Sequence, residues 1–427
     1  MPGRLGVVPS ARRDHGGAFQ YGQAILAALA RTPTPDELPP ITILGDGGVA
    51  GSRSQDLPPG WRWAPLLPPT RLRRVAATVR AILGADASDQ LHRWRRRWRS
   101  AAGAGADIGR WYRRHDVKLI FWTAPDERAL DSGLPFVMPV HDLQHRLQPW
   151  FPEVGGRAER EVREHLYASA ARRAVALLAD SETGREDILQ AYGRWIDGDR
   201  VKILPFVPPP YLTSVDREVQ VRRARAALPL PPRYFFYPAQ FWPHKNHTLI
   251  VEALRLLSQS GLADVHVVCC GSGAGRLRRD TRRGVLRRAT SFGLARRLTL
   301  LDYVPDALMG GLYLGAAGLV MPTRFGPTNI PLVEAWTTDC PVITSDLRGP
   351  REQAGDAALL VDPSSPEALA DAMRALWLDA GVRRRLVAAG RRRAAAWTDA
   401  DFARRLHAIL GEAWRRVANG APVRLDA

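Results

Sequence analysis

The chain has 427 residues, of which 45% are hydrophobic and 24% charged, so two ordinary globular domains with full cores are expected. Its three cysteines, Cys269, Cys270 and Cys340, form neither a disulfide framework nor a zinc pattern, and a reducing cytoplasm is the expected compartment. The net charge of +18 favours an anionic partner, but the arginine runs at 95–97, 282–283, 287–288, 383–385 and 391–393 are scattered, which argues against one nucleic-acid surface.

The first residues, MPGRLGVVPSARR, lack a charged-then-apolar export signal, and no stretch reaches the ~18 apolar residues that a membrane span needs. RLGVV reads as an opening strand. The Gly16-Gly17 pair then starts a helix over AFQYGQAILAALART, and its glycines let backbone approach a ligand closely. ITILG (41–45), VKLIFW (117–122) and FVMPV (136–140) read as short buried strands. Between them LHRWRRRWRS (91–100) sets Leu91, Trp94 and Trp98 at helical spacing among arginines. That pattern suits either a membrane interface or tryptophans packed on the core, so a peripheral contact with the inner membrane face is one expectation. His141 and Asp142 directly follow a strand, at the carboxyl end where ligands sit; a histidine there can donate to a substrate hydroxyl or be held by backbone. AVALLAD and VKILPF close the first half. The polar DGD at 197–199 reads as a turn rather than a metal site, and no zinc or P-loop pattern occurs, so no metal and no cofactor are expected.

At LPFVPPPYL (204–212) three consecutive prolines mark a linker. The pattern then restarts. YFFYPA, VHVVCCG, LTLLDYV, AGLVMP, PVITSD and AALLVD read as strands and HTLIVEALRLLSQS as a helix. The expected fold is α/β, with two successive Rossmann-like domains whose parallel sheets carry ligands at their carboxyl edges. Lys245 stands just before a helix whose dipole opposes it; an anion shared by both would resolve that conflict, and a solvated loop lysine is the alternative. MPTRFGPTNIPLVEAW (321–336) places Pro331 in the first turn of a helix with Thr328 or Asn329 near its cap, a ready phosphate site. Glu334, placed about one turn in, either accepts from sugar or ribose hydroxyls or merely complements the helix N-terminus.

Five of these segments, VHDLQH, ADSETGREDIL, FYPAQFWPHKNH, FGPTNIPLVEA and CPVITSDLRGPREQAGDAALLVDP, occur in the order and spacing of one family. The chain resembles the retaining, GT-B-fold glycosyltransferases of the group 1/family 4 type. The resemblance implies a first domain over 1–207 that binds the acceptor, a nucleotide-sugar domain over 208–399, an interdomain cleft, and a last helix in 400–427 crossing back to the first domain. It implies that Lys245 neutralises the donor diphosphate, that Glu334 holds the ribose, and that His141 contacts the transferred sugar. Gln240, Asn246, Gly326, Thr328, Asn329, Ile330 and Pro331 would line the donor, and Gly16 and Gly17 would form the loop beside phosphates and acceptor.

Two positions depart from the family pattern. Gly326 stands eight residues before Glu334, where the family carries a first glutamate, and Gln240 stands where many members carry an arginine, which predicts a weaker hold on the diphosphate. The implied reaction is metal-independent transfer of a sugar from a nucleotide sugar to a glycan, glycolipid or other hydroxyl acceptor, in cell-surface polysaccharide or glycolipid synthesis. The competing expectations are a GT-B-like nucleotide-sugar epimerase, a catalytically weak sugar-nucleotide-binding protein, and a basic nucleic-acid-binding protein.

Overall fold

The computed structural model describes residues 3–9, 17–31, 38–45, 57–66, 104–212 and 216–420. Gly16, the 91–100 stretch and residues 421–427 lie outside the described residues.

The first half runs β1 (Arg4–Val8), α1 (Gly17–Ala30), β2 (Ile41–Gly45), β3 (Arg62–Pro65), α2 (Ala104–Arg114), β4 (Val117–Trp122), α3 (Arg128–Asp131), β5 (Phe136–Pro139), α4 (Gln144–Leu147), α5 (Pro152–Gly155), α6 (Arg157–Arg173), β6 (Ala176–Ala179), α7 (Glu182–Tyr192) and β7 (Val201–Ile203). Its described strands form one parallel sheet in the order β3-β2-β1-β4-β5-β6-β7. Its inner strands are mostly apolar because both faces are covered, whereas the edge strand β3 has the sequence RWAP and exposes its first two residues. In β4, Leu119 and Phe121 point into one helical layer, and Val117, Ile120 and Trp122 into the other.

The second half runs α8 (Arg217–Ala227), β8 (Phe235–Pro238), α9 (His247–Gln259), β9 (Val267–Cys270), α10 (Arg276–Ser291), β10 (Leu298–Leu301), α11 (Asp306–Leu314), β11 (Gly318–Met321), α12 (Ile330–Thr337), β12 (Val342–Ser345), α13 (Arg348–Ala354), β13 (Leu359–Val361), α14 (Pro366–Leu378), α15 (Ala380–Ala396) and α16 (Asp399–Ala418). Its described strands form a second parallel sheet, β10-β9-β8-β11-β12-β13, around one core. In each sheet the order reverses beside a central strand, β1/β4 and β8/β11, which opens a crevice at the carboxyl edge.

The last helix, α16, starts on a capping box between Thr398 and Asp401. Phe402, Leu406, Ile409, Leu410 and Ala413 share one face and enter the first half's core beside Leu5, Val7, Ile25 and Leu29. Lys202 pairs with Glu412 at 2.7 Å on the same contact. The Asp197-Gly198-Asp199 turn is a short 3-10 turn in which Asp199 pairs with Arg416 of α16.

Much of the positive charge is met locally. Arg391 binds Asp339 at 2.7 Å, Arg392 binds Asp356 at 2.7 Å and Arg288 binds Glu252 at 2.5 Å. No helix among the described residues is long and apolar enough to cross a membrane.

Candidate functional site

The loop leaving β8 begins after four residues that are mostly buried, so its course is set by the sheet. It closes in a 3-10 turn, Pro243–Lys245, and Asn246 takes a left-handed φ of 60° before α9 starts. Tyr237 Oη donates to Lys245 O at 2.7 Å, and Asn246 Nδ2 donates to Pro322 O at 2.9 Å and Pro363 O at 2.8 Å. Arg324 N donates to His244 O at 2.8 Å. The lysine loop is thereby fastened to the β11–α12 connection. Asn246, expected to line the donor, gives its amide protons to backbone and fastens the loop.

Lys245 has only intermediate exposure and no ion-pair partner among the described residues. Burial pulls its pKa down to about 8, against the opposing pull of Asp142 and Glu153. A solvated loop lysine would not be shifted in this way. Gln240, the neutral departure, accepts from Arg278 Nη1 at 2.9 Å and from Trp242 Nε1 at 2.9 Å. The Arg278 guanidinium also lies 4.8 Å from the Trp242 ring centre. An arginine from α10 thus stands beside the position where the strand-end arginine is missing.

The β11–α12 connection turns at Gly326, whose φ of +141° favours glycine. Asn329 is the N-cap of α12 in backbone conformation, but its side chain makes no capping bond, and Pro331 sits within the first turn. Instead, the Gln353 side chain accepts from Asn329 N at 2.8 Å and donates to Asn329 O at 2.9 Å. Among the described residues, Thr328 Oγ1 and Asn329 Nδ2 are buried with no hydrogen-bond partner. Two orphaned polar atoms at a helix N-terminus are the feature an anionic or hydroxylated ligand would complete. Glu334 stands one turn into α12, as expected. It lies in the second turn, is only 5% exposed, and receives hydrogen bonds from two tyrosine hydroxyls.

Opposite lie the strand ends of the first half. His141 Nδ1 meets Asp180 Oδ2 at 3.1 Å, while its Nε2 is buried without a partner among the described residues. Burial works to lower the His141 pKa, but Asp180, aided by Asp142, outweighs it and the net shift is upward. Asp142 is held by Arg163 at 2.7 Å and accepts from Gln144 N at 2.9 Å. The Tyr21 ring stands edge-on to His141 at 5.2 Å. Gly17 opens α1 so near the second half that a Cβ there would come within 3.1 Å of the Ile330 side chain. The structure thus brings Gly17, Ile330, Thr328 and Asn329 to one place.

The halves meet through polar contacts that flank this place. His244 N donates to Glu153 at 3.1 Å, and the same carboxylate meets the His244 ring. Gln148 Nε2 donates to Arg324 O at 2.8 Å. Glu352 accepts from Glu182 N at 2.8 Å and Thr183 N at 2.7 Å, closing the N-terminus of α7 from the other half. Arg348 binds Asp187 at 2.9 Å and Glu186 at 2.6 Å. Gly349 lies so close to Pro327 that a Cβ would fall 2.2 Å from its carbonyl oxygen. The α13 segment therefore touches both the donor-side turn, through Gln353, and α7. Replacing Glu352 with alanine is expected to remove about 1 kcal/mol of stability, read as an earlier thermal transition, and to increase the radius of gyration in X-ray scattering.

Sequence reasoning passed over Asp180, Glu153, Gln353, Arg278, Tyr211 and Tyr313. Asp180 alone carried a signal, since it follows strand β6 as directly as His141 follows β5.

Two parallel-sheet halves that face each other across their strand ends, with the last helix returned to the first half, define the GT-B fold. Residues 219–393 match the family described as glycosyl transferases group 1. The chain is 25% identical over 262 residues to the D-inositol 3-phosphate glycosyltransferase of Corynebacterium glutamicum (strain R). That alignment covers 59% of this chain and 60% of the relative, so the chain spans about three fifths of the relative's length. The fold is shared along nearly the whole chain with a glycosyltransferase from Rickettsia africae (TM-score 0.65, 14% identity, 96% of this chain and 98% of that one). It is also shared with HepE of Anabaena, solved with UDP and glucose (TM-score 0.63, 16% identity, 97% and 99%).

Proposed function

We propose that the chain transfers a sugar from a nucleotide-diphosphate sugar to a hydroxyl of an acceptor. The observation that carries this reading is Lys245, a largely buried ammonium without an ion-pair partner among the described residues. Its loop is fastened to the turn that holds two orphaned polar atoms at the start of α12. A diphosphate supplies what both sides lack. As the bond to the sugar breaks, charge develops on the leaving diphosphate, and Lys245 with the α12 amides stabilises it without reorganisation. Arg278 adds a second cation near Gln240. Glu334 accepts from the ribose, and His141 Nε2 donates to the transferred sugar while Asp180 fixes the ring.

The polar clasp between the halves limits water at the reacting carbon. Retention of configuration and a metal-independent site are carried over from the family resemblance, as are an acceptor of glycan or glycolipid type and a place in cell-surface synthesis. The DGD pattern supports the second point only in that Asp199 is engaged by Arg416. The D-inositol 3-phosphate relative supports a polyhydroxylated acceptor.

The test is thermal denaturation with UDP, GDP, dTDP and ADP. A ligand at a hundredfold excess over its Kd stabilises by about 2.7 kcal/mol, which for a chain of this length is a rise of about 3 °C. One base is expected to give this shift in the wild type and none in Lys245→Met. No shift with any of the four refutes the proposal.

A further inference from the structure

Glu334 is buried, and both of its carboxylate oxygens are engaged by side chains that the reaction as proposed does not use. Tyr211 Oη donates to Oε1 at 2.8 Å, and Tyr313 Oη donates to Oε2. The two phenols come from separate elements. Tyr313 lies in α11, fully buried, with its ring edge-on to Phe236 at 4.9 Å. Tyr211 lies in a 3-10 turn, Pro210–Leu212, within the segment that joins the halves.

A phenol beside a carboxylate donates and does not titrate in the working range, since burial and the Glu334 charge push both hydroxyls up. Each carboxylate oxygen has two acceptor sites, so one tyrosine bond on each leaves one open on each. That is the complement of two neighbouring hydroxyl donors, the 2′- and 3′-hydroxyls of a ribose.

We propose that Tyr211 and Tyr313 are positioning residues that hold Glu334 as an ionised, two-oxygen acceptor and so set a preference for ribonucleotides over 2′-deoxyribonucleotides in the donor. The inference rests on the reading that Glu334 meets the ribose. Without the phenols a buried carboxyl takes a proton and turns one acceptor oxygen into a donor. The groups facing Glu334 are Tyr211 from the linker, Tyr313 and Asp306 from α11, and Cys270 from β9. Burial, the largest effect, and the Asp306 charge raise the Glu334 pKa on balance, and the two phenols limit that rise.

The test measures calorimetric binding of UDP, GDP and ADP and of their 2′-deoxy counterparts from pH 5 to 8. The proteins are the wild type, Tyr211→Phe, Tyr313→Phe and Glu334→Gln, with inorganic diphosphate as control. The wild type is expected to prefer one ribonucleotide about tenfold. Each phenylalanine variant should cut that preference about fivefold and move the acid limb of binding to higher pH, with diphosphate affinity unchanged. Glu334→Gln should abolish both preference and limb.

Phenylalanine keeps the ring and volume, and the two positions lie on separate elements, so misfolding of one variant leaves the other to decide. If the wild type discriminates and Glu334→Gln does not, while the phenylalanine variants keep the wild-type preference and limb, the tyrosine role is overturned and the ribose reading stands. An equal loss of diphosphate affinity in the phenylalanine variants also overturns it. A wild type without preference, or without nucleotide binding, overturns the ribose reading and this inference with it.

Discussion

Lys245→Met makes the protein more stable and nearly inactive. In the folded chain the Lys245 pKa falls from 10.5 to about 8, with burial as the main cause. The sign is unfavourable to folding. Below pH 8 the folded state must hold an ammonium that the unfolded chain holds more easily. The penalty is full there, shrinks as pH rises, and disappears above the unfolded value of 10.5.

At 1.36 kcal/mol per pKa unit, and allowing for the partial exposure of the side chain, methionine is expected to gain about 2 kcal/mol at neutral pH. Turnover should fall about a hundred- to a thousandfold, the usual effect of removing one group aimed at developing charge. Scanning calorimetry at pH 7 and at pH 10.5 checks the first part, since the gain should be present at the lower pH and nearly absent at the higher. A lower melting temperature at pH 7 together with wild-type turnover would remove Lys245 from the site. The same shift predicts that nucleotide diphosphates bind with proton uptake, so wild-type affinity should decline as pH rises above 8.

Asp180→Asn is expected to leave the fold intact and shift the alkaline limb of activity downward. Asp180 is 2% exposed and faces His141 Nδ1, leaving Nε2 as the ring atom with no partner among the described residues. The carboxylate raises the His141 pKa against the effect of burial. Stability from this pair is therefore fully present below the unfolded value of 6.5 and is lost as pH rises through the raised folded value.

Asparagine can still accept from Nδ1 but carries no charge, so burial then prevails and the imidazolium persists only at lower pH. The limb of kcat/KM against pH should move down by about one unit or more, with a loss of about tenfold or more at pH 7.5. If the limb stays in place, the protonated His141 is not the form that acts.

Most strands could be read from runs such as VKLIFW and ITILG, because a parallel sheet covered on both faces favours uninterrupted apolar residues; β3, with the sequence RWAP and two exposed residues at its start, carried no such run and was missed. His141, Lys245 and the 326–331 turn could be read for a related reason: a residue just past such a run stands at the carboxyl edge of a sheet. Asp180 satisfied the same rule. Glu334 was legible as a residue but not in its setting, since a helix turn counted from the sequence says nothing of the tyrosines that meet it.

The remaining groups reach the site from far along the chain. Arg278 comes to Gln240 across 38 residues, Tyr211 to Glu334 across 123, and Glu352 to the start of α7 across 170. Local spacing carries no record of such meetings, because they depend on how helices pack and how the two halves close.

Periodicity and apolar runs thus sufficed for two βαβ halves and for the loops that end their strands, since those follow from burial of neighbouring residues alone. Which charged groups stand near Lys245, that Arg278 meets Gln240, and that two tyrosines meet Glu334 follow from side chains brought together in three dimensions. Electrostatics in a buried site is set by distance through space, and distance along the chain does not encode it.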